Sequence, residues 1–230
     1  MAALANPARR IERVCVTDIF AAANQEALEQ AERDGISVIG TAPPELDRLL
    51  GRDAVHQGIA LAVQPLESAD VAELRPLNIL STVVVLDQAN DPRNVGAVIR
   101  AAAAFGAQAV ITTERAAPDE SGVLVKAAAG TFEKVSYVKC PNLARALDTL
   151  KSNGFWTCGL SGEAEIDLQD GPFDRPTALV IGAEGNGLRR LTTERCDAIV
   201  RIPIAPEVES LNLASAAAIA LYQRTRTTLT

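Results

Sequence analysis

The chain is short of three things that many binding proteins rely on. Aromatic residues are only 3% of its 230 positions, there is one histidine (His56), and no apolar run reaches membrane-spanning length. Scarce aromatics argue against a base-stacking platform. One histidine argues against a His-rich metal site or a His-dependent triad, so no metal is expected. A helical span needs about 18 to 20 apolar residues, and the opening MAALANPARR lacks the charged-then-apolar layout of a secretory leader, so a cytoplasmic protein is expected. Cys15, Cys140, Cys158 and Cys196 lie far apart, with no C-x-x-C and no zinc spacing. They read as buried, reduced thiols.

A basic excess is missing too. Lys and Arg number 22 against 29 Asp and Glu, a net charge of −7, which runs against nucleic-acid binding, where affinity rests on neutralised phosphates. The deficit is uneven: residues 1–75 carry 7 basic and 12 acidic side chains, residues 76–230 carry 15 and 17. The C-terminal part is near neutral and leaves room for a local basic patch.

What is present is aliphatic. Hydrophobic residues make up 48% of the chain, enough for a substantial core, and Ala, Val, Leu and Ile supply nearly all of it, a composition suited to helices on a parallel sheet. In the first 65 residues, RVCVT (13–17), ISVIG (36–40) and GIALAV (58–63) read as strands and 21–35 as a helix closed by Gly35, a small α/β unit. From Gln64 to Asn78, with two prolines and mixed charge, the chain reads as a linker or bridging helix, the linker proper spanning 66–78. From 79 onward strands at 82–87, 109–113, 134–139, 155–160, 178–182 and 198–204 alternate with helices at 94–105, 119–129, 142–154 and about 211–226. Continuous apolar strands between helices indicate a parallel sheet covered on both faces, whose ligands bind beyond the strand carboxyl ends.

Three loops stand out at such ends. In LDQANDPRNVGA, Asn94 reads as a helix N-cap or as a site residue. Arg100 is the only charge between Asn94 and Thr113. Set among apolar neighbours it reads as a buried guanidinium, either ion-paired with Asp87, Asp91 or Glu184 or awaiting a ligand. The second loop, VIGAEGNGLRRL (180–191), has glycines around Glu184 in the order G-x-x-G-x-G, neither the dinucleotide fingerprint nor a phosphate loop. The third, RIPIAPEVESLNLASAAAIALY (201–222), opens an otherwise apolar helix with Ser210, a candidate N-cap, and Asn212.

Together and in this order, the three loops resemble the signature motifs of the SpoU (TrmH-like) RNA 2′-O-ribose methyltransferases of the SPOUT superfamily. VHQGIALAV (55–63), NLARALDTLKSNGFWTCGLSGEA (142–164) and EGNGLRRLTTERCD (184–197) look most like the RlmB subgroup, which modifies a guanosine of 23S ribosomal RNA. The resemblance implies an α/β C-terminal SPOUT domain (79–230) with a deep trefoil knot, preceded by an L30e-like RNA-binding domain (1–65) that starts abruptly, as if trimmed. It implies S-adenosyl-L-methionine as cofactor, ribosomal RNA as substrate and a homodimer through the C-terminal domain. Carried over by motif, Gly182, Ile202 and Leu211 would contact the cofactor, and Asn94, Arg100, Glu184, Ser210 and Asn212 would form the catalytic centre. Two departures are Pro206, where the family usually has glycine, and Ala214, where it usually has serine. Transfer RNA as substrate, and a non-catalytic RNA- or ribosome-binding module with the same fold, are the alternative readings. A Rossmann-type dehydrogenase lacks its G-x-G-x-x-G.

Overall fold

The computed structural model describes residues 1–51 and 55–229, with side chains in the last helix described to Arg226. The chain divides into two units, Met1–Glu67 and Ser68–Thr230.

The first unit runs β1 (Ile11–Val16), α1 (Asp18–Ala23), α2 (Gln25–Arg33), β2 (Ser37–Gly40), α3 (Pro43–Leu50) and β3 (Ile59–Val63). Its sheet has the order β2-β1-β3, parallel between β1 and β2 and antiparallel between β1 and β3. Val14, Val16 and Leu28 form its core. The helix expected over 21–35 is two helices, broken at Asn24, whose side chain donates to Phe20 O at 3.0 Å. Helix α3 was illegible as a helix because it opens on Pro43 and Pro44, which are tolerated only in a first turn. The lone histidine holds the turn before β3: His56 Nδ1 accepts from the Gly58 N–H at 3.0 Å while Nε2 faces Asp47 Oδ1 at 3.2 Å.

The second unit comprises β4 (Thr82–Asp87), α4 (Pro92–Ala104), β5 (Ala109–Thr113), α5 (Gly122–Ala127), β6 (Ser136–Cys140), α6 (Leu143–Ser152), β7 (Trp156–Leu160), β8 (Ile166–Asp167), β9 (Thr177–Gly182), α7 (Arg190–Arg195), β10 (Ala198–Arg201) and α8 (Leu213–Leu229). Its strands form one sheet in the order β6-β5-β4-β9-β7-β10-β8, parallel at every pairing. Every residue of β4 is buried, as a central strand covered on both faces requires. Strand β10 stops at Arg201, short of the expected 204, because Pro203 has no N–H for the ladder. No described helix is long and apolar enough to cross a membrane.

On one sheet face, Val83, Val85, Ile111 and Val138 pack with Leu147 and Leu150 of α6 and with Val71. Val71 belongs to the segment after Glu67, which Asn153 ties down by donating to Val71 O (3.3 Å) and Leu74 O (2.8 Å). On the other face α4 packs against α5 and α8. A Cβ on Gly96 would lie 2.5 Å from Leu124 O, so α4 and α5 approach closely only because that position is glycine.

Helix α8 contains a buried arginine that the sequence did not betray. Arg224 is 1% exposed, and its Nη2 donates to the carbonyls of Ile79 (2.5 Å) and Arg175 (2.9 Å) while Nε reaches Thr177 Oγ1 at 3.2 Å. Burial lowers its pKa, with the Asp174 carboxylate opposing the shift. The guanidinium clamps the last helix to the chain segments entering β4 and β9.

Candidate active site

Register brings the site together. Asp87 at the end of β4 lies opposite Gly182 at the end of β9. Leu160 pairs with Ile181 and Val200 with Leu160, so the loops after β4, β9 and β10 leave the sheet at one level, along its carboxyl edge. The strand order also reverses here: β5 and β6 extend one way from β4, and β9, β7 and β10 the other. Such switch points open a crevice.

The β9 loop is anchored from below. Asp87 is fully buried and accepts from the Arg189 backbone N–H at 3.0 Å and from Arg189 Nε at 2.7 Å. Between these anchors residues 183–187 close a tight turn, with the Gly187 N–H donating to Ala183 O at 3.0 Å and Gly185 and Gly187 at φ +76° and +60°. Gly182 admits no side chain, since a Cβ would sit 2.1 Å from Gly187 C and 2.2 Å from Gly187 O. Sequence reading offered Asp87 only as a partner for Arg100. Its true role depends on a contact spanning 102 residues.

The turn presents Glu184 to the two other loops. Glu184 Oε1 accepts from Asn212 Nδ2 at 2.6 Å, from the Leu213 N–H at 3.1 Å and from Asn94 Nδ2 at 3.2 Å. Asn212 Nδ2 also donates to Asn94 Oδ1 at 3.0 Å. Three residues, from the start of α4, the turn after β9 and the start of α8, thus form one closed polar cluster. With Oε1 taken by three donors, Oε2 is the oxygen left to meet a ligand.

The helix caps differ from expectation, and the differences free side chains for the cluster. Asp91, not Asn94, caps α4, accepting from the Arg93 N–H at 3.0 Å. Pro92 favours that start, because its fixed φ suits the first helical position. Asn94 therefore lies inside the first turn with its amide directed to Glu184. Likewise Asn212, not Ser210, starts α8: its Oδ1 accepts from the Ala214 N–H at 2.9 Å and the Ser215 N–H at 3.4 Å. Asn212 serves cap and cluster with different atoms. Ser210 is exposed and makes no hydrogen bond to Asn94, Glu184 or Asn212.

Arg100 is not buried. It is exposed on the outer side of α4, six residues and about 9 Å of helix rise beyond Asn94. None of the carboxylates considered for it is its partner: Asp87 holds Arg189, Asp91 caps α4 and Glu184 holds the two asparagines. Among the described residues its guanidinium has neither an ion pair nor a hydrogen bond, so an anion reaching this face would meet five free donors.

Ile202 follows β10 directly and Leu211 precedes Asn212; both are half-buried, as is Gly182. The segment between them has a single backbone hydrogen bond, Val208 N–H to Ala205 O at 3.0 Å. Among the described residues, the amides of Glu207, Glu209, Ser210 and Leu211 have no hydrogen-bond acceptor.

The SpoU rRNA methylase family matches residues 81–222, and a domain described as RNA 2′-O ribose methyltransferase substrate binding matches residues 1–69. The chain belongs to the SpoU methyltransferase family. It is 40% identical over 209 residues to the 23S rRNA (guanosine-2′-O-)-methyltransferase RlmB of Ralstonia nicotianae, covering 88% of this chain and 82% of the relative. An AdoMet-bound rRNA methyltransferase from Sinorhizobium meliloti superposes with a TM-score of 0.86 at 22% identity, over 99% of this chain and 84% of that one. The SpoU methyltransferase AviRb of Streptomyces viridochromogenes, in complex with AdoMet, gives 0.85 at 24% identity, over 99% and 87%.

Proposed function

We propose that this SpoU-family enzyme transfers a methyl group from S-adenosyl-L-methionine to a ribose 2′-hydroxyl, that of a guanosine in 23S ribosomal RNA. The observation that carries the reading is the Asn94–Glu184–Asn212 cluster, closed by hydrogen bonds, whose Asn94 shares helix α4 with Arg100, an arginine with no ion pair among the described residues. The guanosine and its ribosomal RNA rest on the RlmB relative.

The residues present suit the cofactor. The amides of 207 and 209–211 and the glycine turn at 182–187 offer backbone donors at close approach, without the fingerprint that a dinucleotide pyrophosphate requires. Gly182, Ile202 and Leu211 would hold it within a knotted crevice. The cofactor supplies a sulfonium-activated methyl group, so the protein's task is to position and stabilise a hydroxyl that is almost fully protonated at neutral pH. Arg100, always charged, is a poor proton acceptor. It clamps a phosphate of the target nucleotide and stabilises alkoxide charge as it develops. Glu184, fixed through Oε1, turns Oε2 toward the reacting groups, Asn94 and Asn212 hold that carboxylate, and Ser210 orients the nucleotide.

The first unit is an L30e-like RNA-binding domain in this reading, residues 66–78 connect it to the SPOUT domain, and two chains associate through the C-terminal domain, in the cytoplasm. Incubation with labelled cofactor and unmodified large-subunit ribosomal RNA, followed by mass spectrometry of ribose-methylated nucleosides, tests the assignment. Formation of 2′-O-methylguanosine is expected. Exclusive methylation of a transfer RNA transcript would move the substrate, and cofactor binding without turnover on either RNA would reduce the chain to a binding module.

A further inference from the structure

The same carboxyl edge continues past the candidate site. Val85 pairs with Ile111, which brings Thr113 level with Asp87, and Thr113 pairs with Cys140. The row Gly182, Asp87, Thr113, Cys140 therefore crosses four strand ends. At its far end lies a cleft of about 410 Å³ lined by Glu114, Lys139, Asn142, Arg145 and the chain at 68–72. Two strand spacings separate it from Asp87, about 10 Å. That is the axial length of about three stacked nucleotides at roughly 3.4 Å each.

Most charges around the cleft are committed, and two arginines are not. Lys139 is held by Asp119 at 2.9 Å, and Asp148, the carboxylate one turn beyond Arg145, is taken by Arg195. Asp70 caps its own turn through the Ala72 N–H at 2.9 Å. Arg145 in the cleft and Arg115, next in sequence to Glu114, have no ion pair or side-chain hydrogen bond among the described residues, and both are exposed. In the β7, β9 and β10 half of the unit, by contrast, Arg175, Arg189, Arg190, Arg195 and Arg201 are all paired with carboxylates. On a chain of net charge −7, an arginine without an ion pair in the cleft wall and a second one next in sequence to its Glu114, on the carboxyl edge that carries the reaction centre, fit an anionic polymer running along that edge.

We infer that this cleft is a subsite for the single-stranded RNA adjoining the methylated nucleotide, with Arg115 and Arg145 on its backbone phosphates and the Glu114 carboxylate accepting from base N–H or ribose O–H groups. The inference rests on the proposed activity. Guanidinium forks suit phosphate oxygens, and a carboxylate within a phosphate-binding cleft is useful only toward donors, which bases and ribose provide.

The test is full-length protein titrated with an unmodified large-subunit ribosomal RNA transcript at several salt concentrations, for wild type, Arg145→Ala, Arg115→Ala, the double variant and Glu114→Ala. Arg175→Ala, at the opposite edge of the sheet, is the control. Each arginine removed is expected to weaken binding about tenfold and to reduce the salt slope by roughly 0.7. Thermal midpoints and affinity for S-adenosyl-L-methionine should stay at wild-type values. Glu114→Ala is expected to weaken binding with the slope unchanged; tighter binding would overturn the role given to that carboxylate. Wild-type affinity and slope in the double variant would overturn the subsite while leaving the activity intact. A wild-type chain that neither binds nor methylates the transcript would instead remove the reading beneath it.

Discussion

Replacing Gly182 with alanine isolates the close approach on which the Glu184 turn depends. The added Cβ would meet Gly187 C at 2.1 Å, Gly187 O at 2.2 Å and Leu188 N at 2.5 Å. All three are backbone atoms, and ordinary contact needs about 3.5 to 4.0 Å, so the turn must retreat by more than about 1 Å. It is held from the other side by Asp87 on Arg189, which makes retreat costly. Overpacking of this kind costs about 1 to 3 kcal/mol, which in a domain of this size lowers the melting temperature by roughly 2 to 12 °C. If the turn yields instead, Glu184 moves with it, and a displacement of about 1 Å in a catalytic constellation reduces turnover about 100-fold. Gly162→Ala is the matched control, because nothing lies within 4 Å of a Cβ there. Differential scanning fluorimetry alongside methyl-transfer rates reads both effects. Unchanged stability and turnover in Gly182→Ala would refute the reasoning.

Three further outcomes follow from other parts of the molecule. Arg224→Met leaves the Ile79 and Arg175 carbonyls without their buried donor and is expected to cost about 2 to 4 kcal/mol; a denaturant midpoint within error of wild type would contradict this. Burial pushes the Cys140 thiol up to about 11 and those of Cys158 and Cys196 to about 12. Their unfolded value is near 8.5, so the stability they contribute is complete below that pH and is lost as pH rises toward the folded values, each thiol contributing up to about 1.4 kcal/mol per pH unit. Urea midpoints should fall between pH 9 and 11, less steeply in Cys158→Ala, and slow alkylation of the native thiols at pH 8 is the companion measurement. Arg100→Lys keeps charge but loses the fork, so weaker RNA binding with residual turnover is expected, whereas normal binding with no turnover at any pH would reject the clamp.

The strands were legible because a buried parallel sheet requires unbroken aliphatic runs, and 82–87, 109–113 and 178–182 have them. Helix starts were less so. Asn94 and Ser210 are good capping residues, but Asp91 before Pro92 and Asn212 before Leu213 occupy the caps, and sequence chemistry ranks these side chains as near equals. Arg100 seemed embedded because alanine is cheap on either face of a helix: Ala97, Ala101 and Ala104 line the exposed side and mimic a core. Arg224 sits in a polar tail, QRTRTT, and its burial depends on carbonyls 145 and 49 residues away. The Asp87–Arg189 anchor was hidden for the same reason. The asparagines and Glu184 were recognisable by motif, but their mutual hydrogen bonds exist only once the sheet register places three strand ends side by side.

The central claim is that an exposed, unpaired guanidinium on α4 and the Asn94–Glu184–Asn212 cluster together serve methyl transfer to RNA. Single-turnover methylation of large-subunit ribosomal RNA by Arg100→Ala, measured with cofactor binding by calorimetry on the same preparation, tests it most directly. The account predicts wild-type affinity for S-adenosyl-L-methionine and a rate reduced at least about 100-fold. A variant that methylates at the wild-type rate would contradict it.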